Sequence, residues 1–255
     1  MNRLTALALL AFACLRCTEG ASSAKAVPTS GPGNGVLFVG NSLTYTNDVP
    51  GLVHALATAI GHPLAVASVA LPDFSLEDHW NQGDAIRAIA RGGWSFVVLQ
   101  QGPSSLDDSR VLLRRDAARF DQHIRAIGAR TALFSVWPES TRQAAFPAVA
   151  ESYSLAARDI GGIYLPVTRA WLNAWDGDPS LPLYGPDGFH PSAHGSYLAA
   201  LVITGVLTGT SPQTMPGRVV RPDGTVLSIP EPAATALRTA ADAAIAALVP
   251  VTRPE

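Results

Sequence analysis

Short runs of β-branched and aromatic residues alternate along this chain with longer stretches in which apolar residues recur every three or four positions. Such alternation is typical of parallel strands joined by crossover helices that cover both faces of a sheet. The sequence therefore predicts an α/β fold with a central parallel sheet. The predicted strands cover residues 36–39, 64–69, 96–99, 132–136 and 162–165.

The predicted helices lie between and after these strands. Their apolar residues fall on one face at helical spacing, while Arg and Asp occupy the other face. Pro191 suits the first turn of a helix that continues through Leu201, which would leave His190 just outside its start. The other predicted helices cover residues 49–60, 76–91, 109–127, 144–159 and 230–248.

The size and charge of the chain limit the classes of partner to expect. Its 255 residues, 47% of them hydrophobic, are sufficient for one domain with a sizeable core. The formal net charge of -2 shows no basic excess of the kind that binding to nucleic acid or to an anionic membrane requires. We therefore expect no nucleic-acid partner and a small or neutral substrate.

The first residues have the features of an export signal. Arg3 supplies a positive charge before an apolar stretch over residues 4–13, which is too short to span a bilayer as a helix. Residues 11–13 are Ala-Phe-Ala, which fits the small-x-small cleavage rule, and Cys14 follows directly. This segment is also similar to a bacterial lipoprotein signal, in which that cysteine would be lipidated. The sequence predicts export, either to the cell envelope through a lipid anchor at Cys14 or by plain secretion.

The cysteines and the small polar residues separate this leader from the folded part. Ser, Ala, Pro and Gly dominate residues 18–35 and predict a flexible tether, so that residues 1–35 would be signal and tether and residues 36–255 one domain. Both cysteines, Cys14 and Cys17, precede that domain. The domain therefore has no disulfide, no cysteine nucleophile and no thiolate metal site.

A serine follows the first predicted strand, and an acid and a histidine lie three residues apart near the far end of the chain. These are Ser42, in the run Gly-Asn-Ser-Leu, and the pair Asp187 and His190, in the run Asp-Gly-Phe-His. A serine nucleophile needs a base to take its proton and a carboxylate to hold that base in one tautomer. Ser42 alone also fits a helix cap. Together with Asp187 and His190 it is a candidate nucleophile.

These two runs resemble the N-terminal and C-terminal blocks of the SGNH, or GDSL-like, serine hydrolases, with Asn41 in place of the more usual Asp. The resemblance extends from Val36 to about Thr208. It implies a three-layer, flavodoxin-like α/β fold, with Ser42 as nucleophile, His190 as general base and then acid, and Asp187 as the residue that orients His190. It implies no metal and no cofactor.

The same resemblance suggests an oxyanion hole that departs from the family pattern. The backbone N–H of Ser42 is the first donor. Asp73 stands where the family has glycine in its second block, and its backbone amide would be the second donor. Gln101, in the run Gln-Gln-Gly-Pro-Ser, stands where the family's third block has asparagine, so that its side-chain amide would be the third donor. Gln100 fits a strand end that satisfies neighbouring backbone groups, and Ser104 is an alternative donor.

Other residues at the predicted strand ends have open roles. Tyr45 and Trp137 would line the substrate pocket, although aromatic residues in such places also serve as packing. His190 and His194 are four residues apart, as in a helical metal pair, but Pro191 indicates that His190 precedes the helix, and no Glu stands between them. We therefore expect no metal site.

These observations predict an exported serine esterase that hydrolyses a small acyl ester through an acyl-enzyme at Ser42. The Gln-Gly-x-Ser run at residues 101–104 resembles that of the sialate O-acetylesterase type, and with the export signal it suggests a carbohydrate O-acetyl group as substrate. Two alternatives stay open. The same triad would serve an acyltransferase, and the same fold would serve a non-catalytic carbohydrate-binding module.

Overall fold

The computed structural model of the chain describes residues 33–248. The predicted signal and lipidation site at Cys14, and all but the end of the predicted tether, lie outside the described residues. Among those described, no helix is long and apolar enough to cross a membrane.

Five parallel strands form the central sheet, as the alternating pattern predicted. The burial of β1 is complete, since all six of its residues are buried, and this explains its continuous apolar run. The spatial order is β2-β1-β3-β4-β5, which is the flavodoxin-like order. The strands are β1 (Gly35–Gly40), β2 (Ala65–Ala70), β3 (Trp94–Leu99), β4 (Arg130–Phe134) and β5 (Ile163–Leu165).

Helices pack on this sheet and bury one continuous core. A single 3-10 turn over Thr46–Asp48 joins the first two helices. The helices are α1 (Ser42–Tyr45), α2 (Val49–Ala59), α3 (Leu76–Gln82), α4 (Asp84–Ala90), α5 (Asp107–Ala126), α6 (Phe146–Asp159), α7 (Val167–Gly177), α8 (Ala193–Thr208) and α9 (Glu231–Ala246).

The structure corrects the predicted helices in three places. The helix predicted over residues 76–91 is two helices, because Gly83 adopts a left-handed conformation with φ of 83° that ends α3. Helix α8 begins at Ala193 rather than Pro191, because the Ser192 side chain caps it by accepting from the N–H groups of its first turn. Helix α7 was not predicted, although its buried residues recur at helical spacing.

A two-stranded antiparallel hairpin also lies outside the prediction. Its strands, β6 (Arg218–Val220) and β7 (Val226–Ser228), are three residues long each and form a separate sheet. They follow α8 and precede α9.

The strand order determines where a ligand can bind. The chain passes from β1 to β2 on one side and then crosses back to β3 on the other side, so the loops after β1 and β3 diverge. In parallel sheets, ligands bind at this point beyond the carboxyl ends of the strands. Ser42 follows β1, Asp73 follows β2 and Gln101 follows β3, so the sheet brings the predicted site residues to one edge.

Candidate active site

Ser42 lies at the first position of α1, directly after β1. Asn41 caps this helix, since its Oδ1 accepts from the Leu43 backbone N–H at 3.1 Å. The preceding glycine is required by close approach, because a Cβ at Gly40 would collide with Gln100 Oε1 and Thr44 Oγ1. Ser42 itself is only 7% exposed. The sharp passage from strand to helix therefore places the serine at the carboxyl edge of the sheet.

Gln100 holds this strand-to-helix turn in place from the end of β3. Its Oε1 accepts from the Asn41 backbone N–H at 2.9 Å and from Thr44 Oγ1 at 2.8 Å. Its Nε2 donates to Asn41 Oδ1 at 2.9 Å and to the Gln101 carbonyl at 2.5 Å. The side chain is fully buried. Gln100 thus satisfies its neighbours, the role expected for it, and links β3 to the segment that carries Ser42.

Asp187 and His190 form a hydrogen-bonded pair in the loop before α8. His190 Nδ1 lies 2.5 Å from Asp187 Oδ2, while Asp187 Oδ1 accepts from the backbone N–H groups of Phe189 at 3.0 Å and His190 at 2.9 Å. The hydrogen bond from the His190 side chain is the main cause that lowers the pKa of Asp187 to about 2, and the Phe189 N–H contributes next. An ionised Asp187 accepts only, so Nδ1 carries the proton and Nε2 has a free lone pair.

The β4 side of the molecule anchors this loop. Trp137 Nε1 donates to the Phe189 carbonyl at 2.9 Å, and the Ser140 N–H donates to the Gly188 carbonyl at 2.8 Å. Gly188 has a φ of 69°, and a Cβ there would lie 2.5 Å from Ser140 Oγ, so a side chain fits poorly at this position. The sequence did not reveal this anchor, because its members are about fifty residues apart.

Trp137, predicted to contact substrate, is fully buried and stacks on Trp171 with a distance of 4.0 Å between ring centroids. Its place in the structure is therefore beneath the loop that holds Asp187 and His190. Tyr45, also predicted to contact substrate, is 41% exposed at the end of α1.

One cleft of about 290 Å³ brings together Ser42, Asp73 and Phe189, the residue next to His190. It is open to solvent and combines the loops after β1, β2 and β3 with the loop before α8. Of the predicted site residues, Ser42 and Asp73 line it, whereas Tyr45, Trp137 and Gln101 do not, and His190 is represented by its neighbour Phe189. The lining residues are Asn41, Ser42, Asp73, Phe74, Ser75, Gly102 and Phe189.

Solved structures with this arrangement of strands and helices are numerous. A protein from Slackia heliotrinireducens assigned to the SGNH hydrolases is 28% identical over 69% of this chain and 99% of its own, with a TM-score of 0.59. A DUF4886 family protein from Bacteroides uniformis is 21% identical over 84% of this chain and 95% of its own, with a TM-score of 0.69. The chain has the SGNH hydrolase fold.

More distant structures share this SGNH fold. A catalytic mutant of an acetylxylan esterase from Geobacillus stearothermophilus is 14% identical over 71% of this chain and 95% of its own, with a TM-score of 0.51. No protein-family model matches the sequence, and no curated protein matches it either. The predicted fold class and family resemblance are thereby confirmed at the level of structure.

Within the described part of the chain, Ser42 Oγ and His190 do not hydrogen-bond to each other. Hydrogen bonds between catalytic groups are often long in unliganded enzymes and shorten when substrate binds. His194 lies in the first turn of α8, beyond the Ser192 cap, so the two histidines do not share a helix. The described residues contain no group of three or more metal-binding side chains.

Asp73 has the backbone conformation that glycine adopts easily. Its φ is 59°, in the left-handed region, and it lies in the turn after β2 at the cleft. The backbone N–H groups of Ser42, Asp73 and Gly102 all lie at the cleft and have no acceptor among residues 33–248. They are therefore available to a negatively charged oxygen of a ligand.

Gln101 is braced by its neighbours. Its Oε1 accepts from the Leu76 N–H at 3.2 Å, and its Nε2 donates to Ser104 Oγ at 2.8 Å. The Tyr153 hydroxyl donates to its carbonyl at 2.6 Å, and burial raises the pKa of that tyrosine, which keeps it a donor. The Gln101 amide retains one uncommitted N–H. Gly102, which sequence reasoning did not single out, is the residue of this loop that lines the cleft.

Proposed function

We propose that this chain is a serine esterase in which Ser42 attacks the carbonyl carbon of a small acyl ester. The observation that carries the proposal is the convergence on one cleft of Ser42, the segment bearing the Asp187–His190 pair, and three backbone N–H groups without acceptors. A solved acetylxylan esterase has the same fold.

The residues would act in a fixed order. His190 Nε2 takes the proton from Ser42 Oγ as that oxygen bonds to the acyl carbon, while Asp187 holds the Nδ1–H and stabilises the imidazolium. The N–H groups of Ser42, Asp73 and Gly102 would donate to the developing oxyanion. His190 returns its proton to the leaving alcohol, and a water molecule then releases the acid from Ser42 by the same steps.

The cleft and its walls favour a small, polar substrate. A volume of about 290 Å³ suits a short acyl group, and Asp73, whose side chain makes no hydrogen bond to another described residue, is a polar wall residue that can bind a hydroxyl. We propose a carbohydrate O-acetyl ester, in line with the Gln-Gly-x-Ser run at residues 101–104. We further propose that the protein is exported and that Cys14 is its lipidation site, which mass spectrometry of the mature protein tests.

One observation favours a different function. Asp73 lines the cleft, and a negative charge on its wall opposes the formation of an oxyanion inside it. A module that only binds carbohydrate would have no such conflict.

A labelling experiment separates the two candidates. A fluorophosphonate should modify the wild-type protein once, at Ser42, and the Ser42→Ala variant should be neither labelled nor active on aryl acetates and acetylated sugars. The Ser180→Ala variant, changed in an exposed turn, is the matched control and should behave as wild type. Absence of both labelling and hydrolysis in a folded wild-type protein would rule out the esterase.

A further inference from the structure

Two consecutive residues between α1 and α2 adopt a conformation that side chains other than glycine rarely take. Asn47 has a φ of 56° and Asp48 a φ of 55°. Left-handed backbone at non-glycine residues is unfavourable and persists only where the surroundings enforce it. Asp48 is explained by its side chain, which accepts from the Gly51 N–H at 3.1 Å and caps α2. Asn47 needs another explanation.

The Asn47 side chain connects the nucleophile segment to the loop that carries His190. Its Nδ2 donates to the carbonyl of Pro191, the residue after His190, at 2.9 Å and to Ser196 Oγ in α8 at 2.9 Å. Both N–H bonds of the amide are therefore used. The Asn47 carbonyl accepts in turn from Arg221 Nη1 at 3.0 Å, so that the β6–β7 hairpin holds the same backbone.

These two are the only side-chain hydrogen bonds in the described structure that join residues 41–48 to residues 187–196. The loop's other anchors, Trp137 and Ser140, come from the β4 side and are independent of the segment that carries Ser42. On the nucleophile side, the distance between Ser42 and His190 therefore depends on the two hydrogen bonds of Asn47.

We propose that Asn47 is a positioning residue that sets the distance between Ser42 Oγ and the His190 ring, an inference that rests on the proposed esterase function. The position requires a residue that tolerates left-handed backbone and supplies two donors. Asparagine meets both requirements, whereas glycine has no donor and aspartate cannot donate when ionised. In this left-handed conformation the Asn47 side chain reaches Pro191.

Substitutions at Asn47 and its neighbour separate positioning from folding. Asn47→Gly adopts the left-handed backbone easily and removes both donors. Asn47→Asp keeps the shape of the side chain and places a carboxylate against the Pro191 carbonyl. Asp48→Gly is the matched control, since it makes the same change at the adjacent left-handed residue without touching the His190 loop. We expect both Asn47 variants to lose kcat on aryl acetates by about 10- to 100-fold with little change in KM. Asp48→Gly should retain kcat.

A double-mutant cycle tests whether the loss acts through His190. In a His190→Ala background, Asn47→Gly should not reduce the residual rate further, because no base remains to be positioned. An equal loss in both backgrounds would mean that Asn47 supports the fold generally, and it would overturn the proposal.

Hydrogen exchange provides a readout that does not depend on activity. Peptides covering residues 187–192 should take up deuterium faster in Asn47→Gly than in wild type, and at the wild-type rate in Asp48→Gly. Unchanged exchange in Asn47→Gly would overturn the positioning role even if the wild-type protein is an active esterase. If the wild-type protein has no esterase activity and exchange is still faster in Asn47→Gly, the structural link between Asn47 and the His190 loop stands and the proposed function is rejected instead.

Discussion

The two sides of the cleft are held in place differently. On the nucleophile side, Gln100 is fully buried, and three of its four side-chain hydrogen bonds hold Asn41 and Thr44, which flank Ser42, against the core. On the base side, the side chains of His190 and Asp187 are 36% and 51% exposed, and a few hydrogen bonds anchor their loop. Substitutions on the nucleophile side should therefore affect folding and activity together, whereas those on the base side should affect activity far more than stability.

Removal of His190 should give the largest difference between the effect on activity and the effect on stability. We expect His190→Ala to lower kcat on aryl acetates by about 10⁴-fold or more. The free energy of unfolding should fall by less than about 1 kcal/mol, since the ring is partly exposed. Steady-state kinetics and urea unfolding measure the two quantities. A large loss of stability would show that the base side belongs to the core after all.

Removal of the buried amide on the opposite side should have a mixed effect. Gln100→Ala leaves the Asn41 N–H and the Thr44 hydroxyl without their acceptor, so we expect a loss of about 2–4 kcal/mol in the free energy of unfolding, together with reduced activity. Gln143→Ala, an exposed glutamine, should change neither. Wild-type stability in Gln100→Ala would contradict the difference between the two sides.

Removing a single donor, the indole N–H of Trp137, should weaken the anchor of the loop that carries Asp187 and His190. Trp137→Phe keeps an aromatic ring in the core and removes the donor to Phe189, so kcat should fall by about tenfold and stability by about 1 kcal/mol. Trp94 lies at the end of β3 that is far from the cleft, and its indole N–H donates to the Ala88 carbonyl. Trp94→Phe removes this comparable donor, so it should lower the free energy of unfolding by a similar amount without changing kcat. Equal kcat values in the two variants would mean that the Trp137 hydrogen bond does not position the loop.

Substitution of Asp73 is expected to raise activity rather than lower it. Asp73→Gly retains the backbone N–H, relieves the left-handed strain and removes a negative charge from the cleft, so we expect a rise in kcat/KM of about three- to tenfold on a neutral ester. Asp73→Asn separates the two causes, because it removes the charge and keeps a side chain at that φ. A loss of activity in both variants would instead assign the carboxylate to substrate binding.

The smallest effect concerns the charge of Asp187. Its pKa is lowered in the folded protein to about 2, below the unfolded value, so its contribution to stability is present at neutral pH and is lost as pH falls toward 2. The difference in unfolding free energy between wild type and Asp187→Asn should therefore not decrease as pH falls from about 7 to 5, and it should shrink below about pH 4. A difference that vanishes between pH 7 and 5 would contradict the assigned pKa.

The sequence predicted what depends on local pattern. All five strands of the main sheet and the Asp-x-x-His spacing could be found, because apolar runs and short motifs are contiguous along the chain. Helix α7 was missed although Val167, Ala170, Trp171 and Ala174 show helical spacing. The break at Gly83 also had a visible cause in the glycine itself.

What could not be predicted depends on pairs far apart in sequence. Gln100 and Gln101 are adjacent and chemically identical, and only the packing at the end of β3 determines that one braces the Ser42 turn and the other reaches Ser104. Asn47 is 144 residues from Pro191, so no local pattern connects them. Such contacts emerge only when the strands are placed side by side.

The stacked indoles of Trp137 and Trp171 give this protein a built-in optical probe of its own cleft. Trp137 hydrogen-bonds to the backbone of Phe189, and Phe189 is part of the cleft wall. A molecule that displaces Phe189 should therefore change the intrinsic fluorescence emission. Substrate screening can then proceed by titration of unlabelled protein, without a chromogenic ester.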